Sequence, residues 1–98
     1  NLILQDGAVM WWKKYESLDL LGGTISFIGD DLEDMIEISY PDGMFIDAGK
    51  YGNDYCITVL PSNDTVGWNS PLAEIIVSDK NDLPYIIQKT IVSYRKNP

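Results

Sequence analysis

Ninety-eight residues, 45% of them apolar and including three Trp and six Tyr, suffice for a single domain (residues 1–98) with one hydrophobic core. The formal charge is −8, and thirteen of the fifteen acids lie between Asp19 and Asp82, opposed only by Lys50 and Lys80 (13 − 2, a local net of −11). Such a field repels nucleic acid and anionic membrane, so neither is an expected partner, and it favours a cationic surface. Histidine is absent, which removes the Ser-His-Asp triad, the Cys-His dyad and His-based zinc sites.

The first pattern is helical. Ala8, Trp11, Trp12, Tyr15 and Leu18 recur at helical spacing and predict an N-terminal helix over Ala8 to Leu18, with Asp6 as its cap. Leu2 to Leu4 fit either an extension of that helix or a short strand. Gly22-Gly23 ends the segment. The period then changes to two. Thr24 to Ile28 puts Ile25 and Phe27 on one face. Met35 to Tyr40 puts Ile36, Ile38 and Tyr40 inward, with Glu37 and Ser39 outward.

Pro41-Asp42-Gly43 is a turn, because Pro presets φ and Gly tolerates positive φ. Beyond it, Met44, Ile46 and Ala48 oppose Phe45 and Asp47. A second turn at Gly52-Asn53-Asp54 leads to Tyr55, Ile57 and Val59 on one side, with Cys56, Thr58 and Leu60 on the other. Short links between these strands predict an antiparallel meander. Pro61 to Pro71 reads as a polar loop of about eleven residues, longer than the usual four to six, and such loops are often functional. Ala73 to Ser78 is a fifth strand. Asp82 caps a final helix with Pro84 in its first turn and an apolar stripe of Leu83, Ile86, Ile87, Ile91 and Tyr94. The expected fold is α+β: an N-terminal helix, a mostly antiparallel sheet of about five strands, and a C-terminal helix packed on one face.

No apolar run is long enough to span a bilayer, and no basic stretch followed by an apolar region marks a signal peptide. The lone Cys56 cannot close an internal disulfide, which suits a reducing compartment, so a cytoplasmic protein is expected. Cys56 has no basic neighbour in sequence and is expected to be a structural thiol.

Catalytic signatures are missing. Gly22-Gly23 precedes a strand rather than opening a helix, so it is no dinucleotide fingerprint. Gly29-Asp30-Asp31-Leu32-Glu33-Asp34 matches a calcium loop in charge only: Leu32 occupies an alternating position and the internal Gly is lacking. No metal, cofactor or catalytic residue is assigned, and the chain is not expected to be an enzyme. Trp68, in a polar loop with Asp64 and Glu74 nearby, is either a lid on the core or an interface anchor.

The hairpin Glu37 to Asp47, the passage Trp68-Asn69-Ser70-Pro71-Leu72-Ala73-Glu74-Ile75 and the closing helix together resemble small immunity proteins of bacterial toxin–immunity systems, such as those of contact-dependent growth inhibition. That resemblance implies a cytoplasmic protein that binds one cognate toxin, commonly a basic RNase or DNase, and covers its active site. Charge and expected exposure, rather than the resemblance, select the contact set: Asp30, Asp31, Glu33, Asp34, Asp54 and Asp64 as electrostatic partners and Trp68 as anchor. The alternative is a regulatory or assembly domain that binds a protein or its own kind through a sheet edge.

Overall fold

The computed structural model describes residues 7–96. Its five strands are β1 (Thr24–Phe27), β2 (Ile36–Ser39), β3 (Phe45–Tyr51), β4 (Asp54–Leu60) and β5 (Ala73–Val77). They form one sheet in chain order, and every neighbouring pair is antiparallel. Turn chemistry fixes the register. Gly43 takes φ 98° while the Asp42 carboxylate accepts from the Met44 N–H at 3.2 Å. Gly52 takes φ 63° in the two-residue turn that sets Tyr51 opposite Asp54.

Alternation then sorts the side chains. Ile25, Phe27, Ile36, Ile38, Ile46, Ala48, Tyr55, Ile57, Val59, Ala73, Ile75 and Val77 share the inner face and its core. Helix α2 (Leu83–Arg95) covers that face and buries Leu83, Ile87, Thr90 and Ile91. Each buried Leu or Ile contributes about 1.5–3 kcal/mol. Thr90 fits there because its hydroxyl donates to the Ile86 carbonyl one turn back, at 2.7 Å. Of the expected helical stripe, Tyr94 turns largely outward. Asp82 makes no side-chain cap; Asp79 instead caps a short 3₁₀ turn, Lys80–Asp82, that leads into α2.

Polar clasps tie α2 down along its length. At its N-terminal end, Lys80 reaches Asp30 at 2.6 Å and Asp31 at 2.9 Å. In the middle, Gln88 exchanges two hydrogen bonds with the Asp19 backbone. At its C-terminal end, Arg95 pairs with Asp42 at 2.9 Å and stacks on the Tyr40 ring, 4.1 Å from its centroid.

The N-terminal expectation needs correcting. Within residues 7–96, Gly7–Tyr15 is 3₁₀ rather than α, is broken at Met10 (φ −122°, ψ 42°), and stops before Leu18. Edge-on aromatic packing wins over the helical period here: Trp11 stands 6.0 Å from Phe27 and 6.1 Å from Tyr15, at interplanar angles of 88° and 70°. Tyr15 is thereby buried, and its phenol is pushed up to about 12 by that burial. Asp6 and Leu2 to Leu4 lie outside the described residues.

The Pro61 to Pro71 segment also holds more structure than expected. Helix α1 (Thr65–Asn69) forms within it, capped by Asp64, whose carboxylate accepts from the Gly67 N–H at 2.8 Å.

Candidate functional site

The outer face of the sheet breaks the rule that like charges avoid each other. One cross-strand row reads Ser26, Glu37, Asp47, Thr58, Glu74 from β1 to β5. Glu37 and Asp47 are therefore direct opposites, an arrangement that destabilises an antiparallel pair. A third carboxylate joins them through an irregularity in the chain. Lys50 N–H donates to the Leu32 carbonyl and Met35 N–H to that of Ala48. Four steps of chain (Leu32 to Ile36) thus span two on the opposite strand (Ala48 to Lys50), and the surplus bulges over β3. Gly49 permits this, since a Cβ there would lie 1.7 Å from the Glu33 carbonyl oxygen. The bulge delivers Asp34 to its neighbours, and carboxylate oxygens of Asp34, Glu37 and Asp47 all lie within 4.8 Å of one another.

Two of the three, Asp34 and Asp47, line a groove of about 240 Å³ together with Glu33, Lys50, Trp68 and Glu74, with Gly49, Tyr51, Cys56 and Thr58 completing it. The space suits an ion or one or two inserted side chains rather than a drug-sized molecule, which needs upwards of about 300 Å³. Asp47 sits at its base, 7% exposed, and its Oδ1 has no hydrogen-bond partner among the described residues. Burial first, then the charges of Asp34 and Glu37, push its carboxyl up to about 7. Trp68 stands at one end, edge-on to Phe45 at 6.2 Å and 44% exposed, with its indole N–H donating to Asn63 at 2.8 Å. It is a lid on Phe45 and an exposed wall at once. Tyr51, 65% exposed, also borders the groove.

The structure divides the seven residues singled out from sequence. Glu33, Asp34 and Trp68 meet in the groove. Asp30 and Asp31 turn instead to Lys80, and Asp31 also accepts from the Tyr55 hydroxyl at 2.8 Å. Hydrogen bonds from Lys80 and then Tyr55 hold the Asp31 carboxyl below the usual range. Burial alone would lower the Lys80 pKa, but hydrogen bonds to Asp30 and Asp31 outweigh it and raise it. Asp31 adopts φ 55°, a conformation this clasp fixes.

Asp64 is occupied as the α1 cap: the Gly67 N–H and then the Ser62 hydroxyl lower its pKa. Asp54 lies across from Tyr51 at the hairpin end and is not among the groove's lining residues. Cys56 is half-buried in the groove floor, with Thr58 Oγ1 at 3.7 Å from its sulfur.

The residues missed by sequence reasoning are Glu37, Asp47 and Glu74. The signal for them was available in part. Glu37 and Asp47 both alternate outward, and the turn at Asp42-Gly43 sets them opposite each other. No protein-family model, curated protein or solved structure matches this chain.

Proposed function

We propose that this chain is a non-enzymatic, cytoplasmic immunity protein that neutralises a basic toxin domain, a nuclease, by laying its outer sheet face over the active site. The observation that carries this reading is the crowding of Asp34, Glu37, Asp47 and Glu74 on one sheet face, flanked by exposed Trp68 and Tyr51. Like charges so placed cost stability unless a cation answers them. A nuclease must attract phosphate, so its substrate face carries Lys and Arg, and an acidic groove complements that face. Opposite charge accelerates capture by orders of magnitude at low salt, and an aromatic anchor such as Trp68 slows release.

Relative to the contact set drawn from sequence, the groove retains Glu33, Asp34 and Trp68 and adds Asp47 and Glu74, with Glu37 beside Asp47 on the same sheet face. Asp30, Asp31 and Asp64 serve mainly to hold the loops that frame it. The test is to identify the protein that purifies with this chain from its own cells and to titrate the two against each other. A one-to-one complex that stops cleavage, and weakens as salt rises from about 50 to 300 mM, is the expected result. Salt-insensitive binding, or binding without inhibition, would refute it.

A second reading, a regulatory or assembly domain joined through a sheet edge, is favoured by β5. Among the described residues it pairs only with β4, and Ile76 on it is 53% exposed. It predicts a dimer by light scattering at micromolar protein.

A further inference from the structure

We infer that Asp34, Glu37 and Asp47 form a binding site for a hard divalent cation, calcium above all, on the outer face of the sheet. Two independent features meet there. The first is convergence: three carboxylates from the bulge, β2 and β3 bring oxygens within 4.8 Å of one another. The second is the state of Asp47, which is 7% exposed, lines the groove and presents an Oδ1 with no hydrogen-bond partner among the described residues. A buried carboxylate oxygen without a donor is costly, and an ion is one of the few things that can satisfy it. No ion pair among the described residues involves any of the three; Lys80 and Arg95 are engaged elsewhere.

Ligand type and spacing narrow the ion. All-oxygen carboxylate donors select a hard cation over zinc or copper. Calcium bonds oxygen at ~2.4 Å, so ligands on opposite sides of it stand up to ~4.8 Å apart, whereas magnesium at ~2.1 Å allows only ~4.2 Å. Oxygens within 4.8 Å of one another can all reach one calcium, whose flexible coordination accepts irregular ligand placement, whereas magnesium demands near-ideal octahedral geometry. Three carboxylates offer at most six oxygens, and the groove's opening leaves room for water to complete the shell. The site bears no relation to the Gly29 to Asp34 sequence as a calcium loop. It is assembled by register, with Asp34 its only member from that stretch.

The experiment is calorimetric and thermal titration of the full chain, freed of metal by chelator, with calcium chloride, magnesium chloride and sodium chloride of equal ionic strength. Expected are one calcium per chain with a Kd of about 0.1–1 mM, and a Tm rise of about 5 °C or more at 10 mM. Magnesium should be weaker and sodium ineffective. Asp47→Asn and Glu37→Gln should each weaken calcium binding at least tenfold, while Glu74→Gln, in the groove but outside the cluster, leaves it within about twofold. Absence of calcium heat, an equal Tm rise in sodium chloride, or full binding by folded Asp47→Asn each overturns the inference. These titrations contain no toxin domain, so their outcome is separate from the test of partner capture.

Discussion

The two faces of this sheet come from alternate residues of the same five strands, yet they obey opposite rules. The inner face is apolar from Ile25 to Val77 apart from Lys50, which lies over the Tyr55 ring near the hairpin end, and is closed by α2. Every clasp on α2 involves charges or amides paired at its margins: Lys80 with Asp30 and Asp31, Gln88 with Asp19, Arg95 with Asp42. The outer face sets Glu37 against Asp47, adds Asp34 through a bulge, and leaves a buried carboxylate oxygen unpartnered among the described residues. One face is arranged for stability and the other at its expense. Local violations of this kind mark places where a sequence serves something besides folding.

The largest effect should come from breaking the inner face. Ile57 is fully buried on the central part of the sheet. Ile57→Ala should cost about 2–5 kcal/mol in urea unfolding, because a cavity adds to the lost transfer energy.

The outer face should respond with the opposite sign. Asp47→Asn should stabilise the metal-free protein by about 1–2 kcal/mol at pH 8, well below what the full pKa shift implies, because the groove admits water. The direction follows from proton linkage. The Asp47 carboxyl titrates near 3.8 when unfolded and near 7 when folded, so the native state holds the extra proton between those values. Wild-type stability therefore falls as pH rises through about 4 to 7, and the penalty is complete above it. Asn removes that slope. Asp31, Asp42 and Asp64 behave oppositely: their folded pKa values are lowered, so their contribution is present above the unfolded value and lost at still more acid pH. The two trends occupy different windows, and urea midpoints measured from pH 3 to 8 separate them.

Next in size is a change seen in binding alone. Glu74→Lys reverses a charge on the groove wall without touching the core, and should slow association with the proposed basic partner roughly tenfold at low salt. Stopped-flow rates at two ionic strengths check it: the difference from wild type should shrink as salt rises. The smallest effect is expected at the α2 clasp. Lys80→Met should cost about 0.5–1 kcal/mol of stability, since the pair is partly exposed, and should leave association unchanged. If Lys80→Met instead altered capture while Glu74→Lys did not, the roles assigned to the two acidic regions would be exchanged.

Much of the frame was legible in the residues. Residue pattern marked all five strands, and alternation sorted the first four into two faces. It named the inward one for Met35 to Tyr40, where Ile36 and Ile38 are fully buried and the signal is clean. Ala73 to Ser78, half-buried at the edge, carried no face assignment. The turns at Gly43 and Gly52 announced themselves by residue type. The N-terminal segment misled, because Trp11 and Tyr15 satisfy helical spacing while their packing on Phe27 imposes a 3₁₀ path. The site was half legible. Charge density drew attention to Asp30 and Asp31, which are adjacent in sequence but committed to Lys80, a residue fifty positions away from Asp30. Glu37, Asp47 and Glu74 are isolated in sequence and become neighbours only through register. The bulge that brings Asp34 among them has no sequence signal beyond Gly49.

The central claim is that the outer sheet face does the binding. Amide chemical shifts of the labelled protein, mapped before and after saturation with the proposed basic partner, test it most directly. The account predicts the largest changes at Glu33, Asp34, Tyr51, Thr58, Trp68 and Glu74, with Tyr85 and Val92 on the exposed side of α2 unmoved. Changes concentrated on α2, with the groove residues silent, would contradict it.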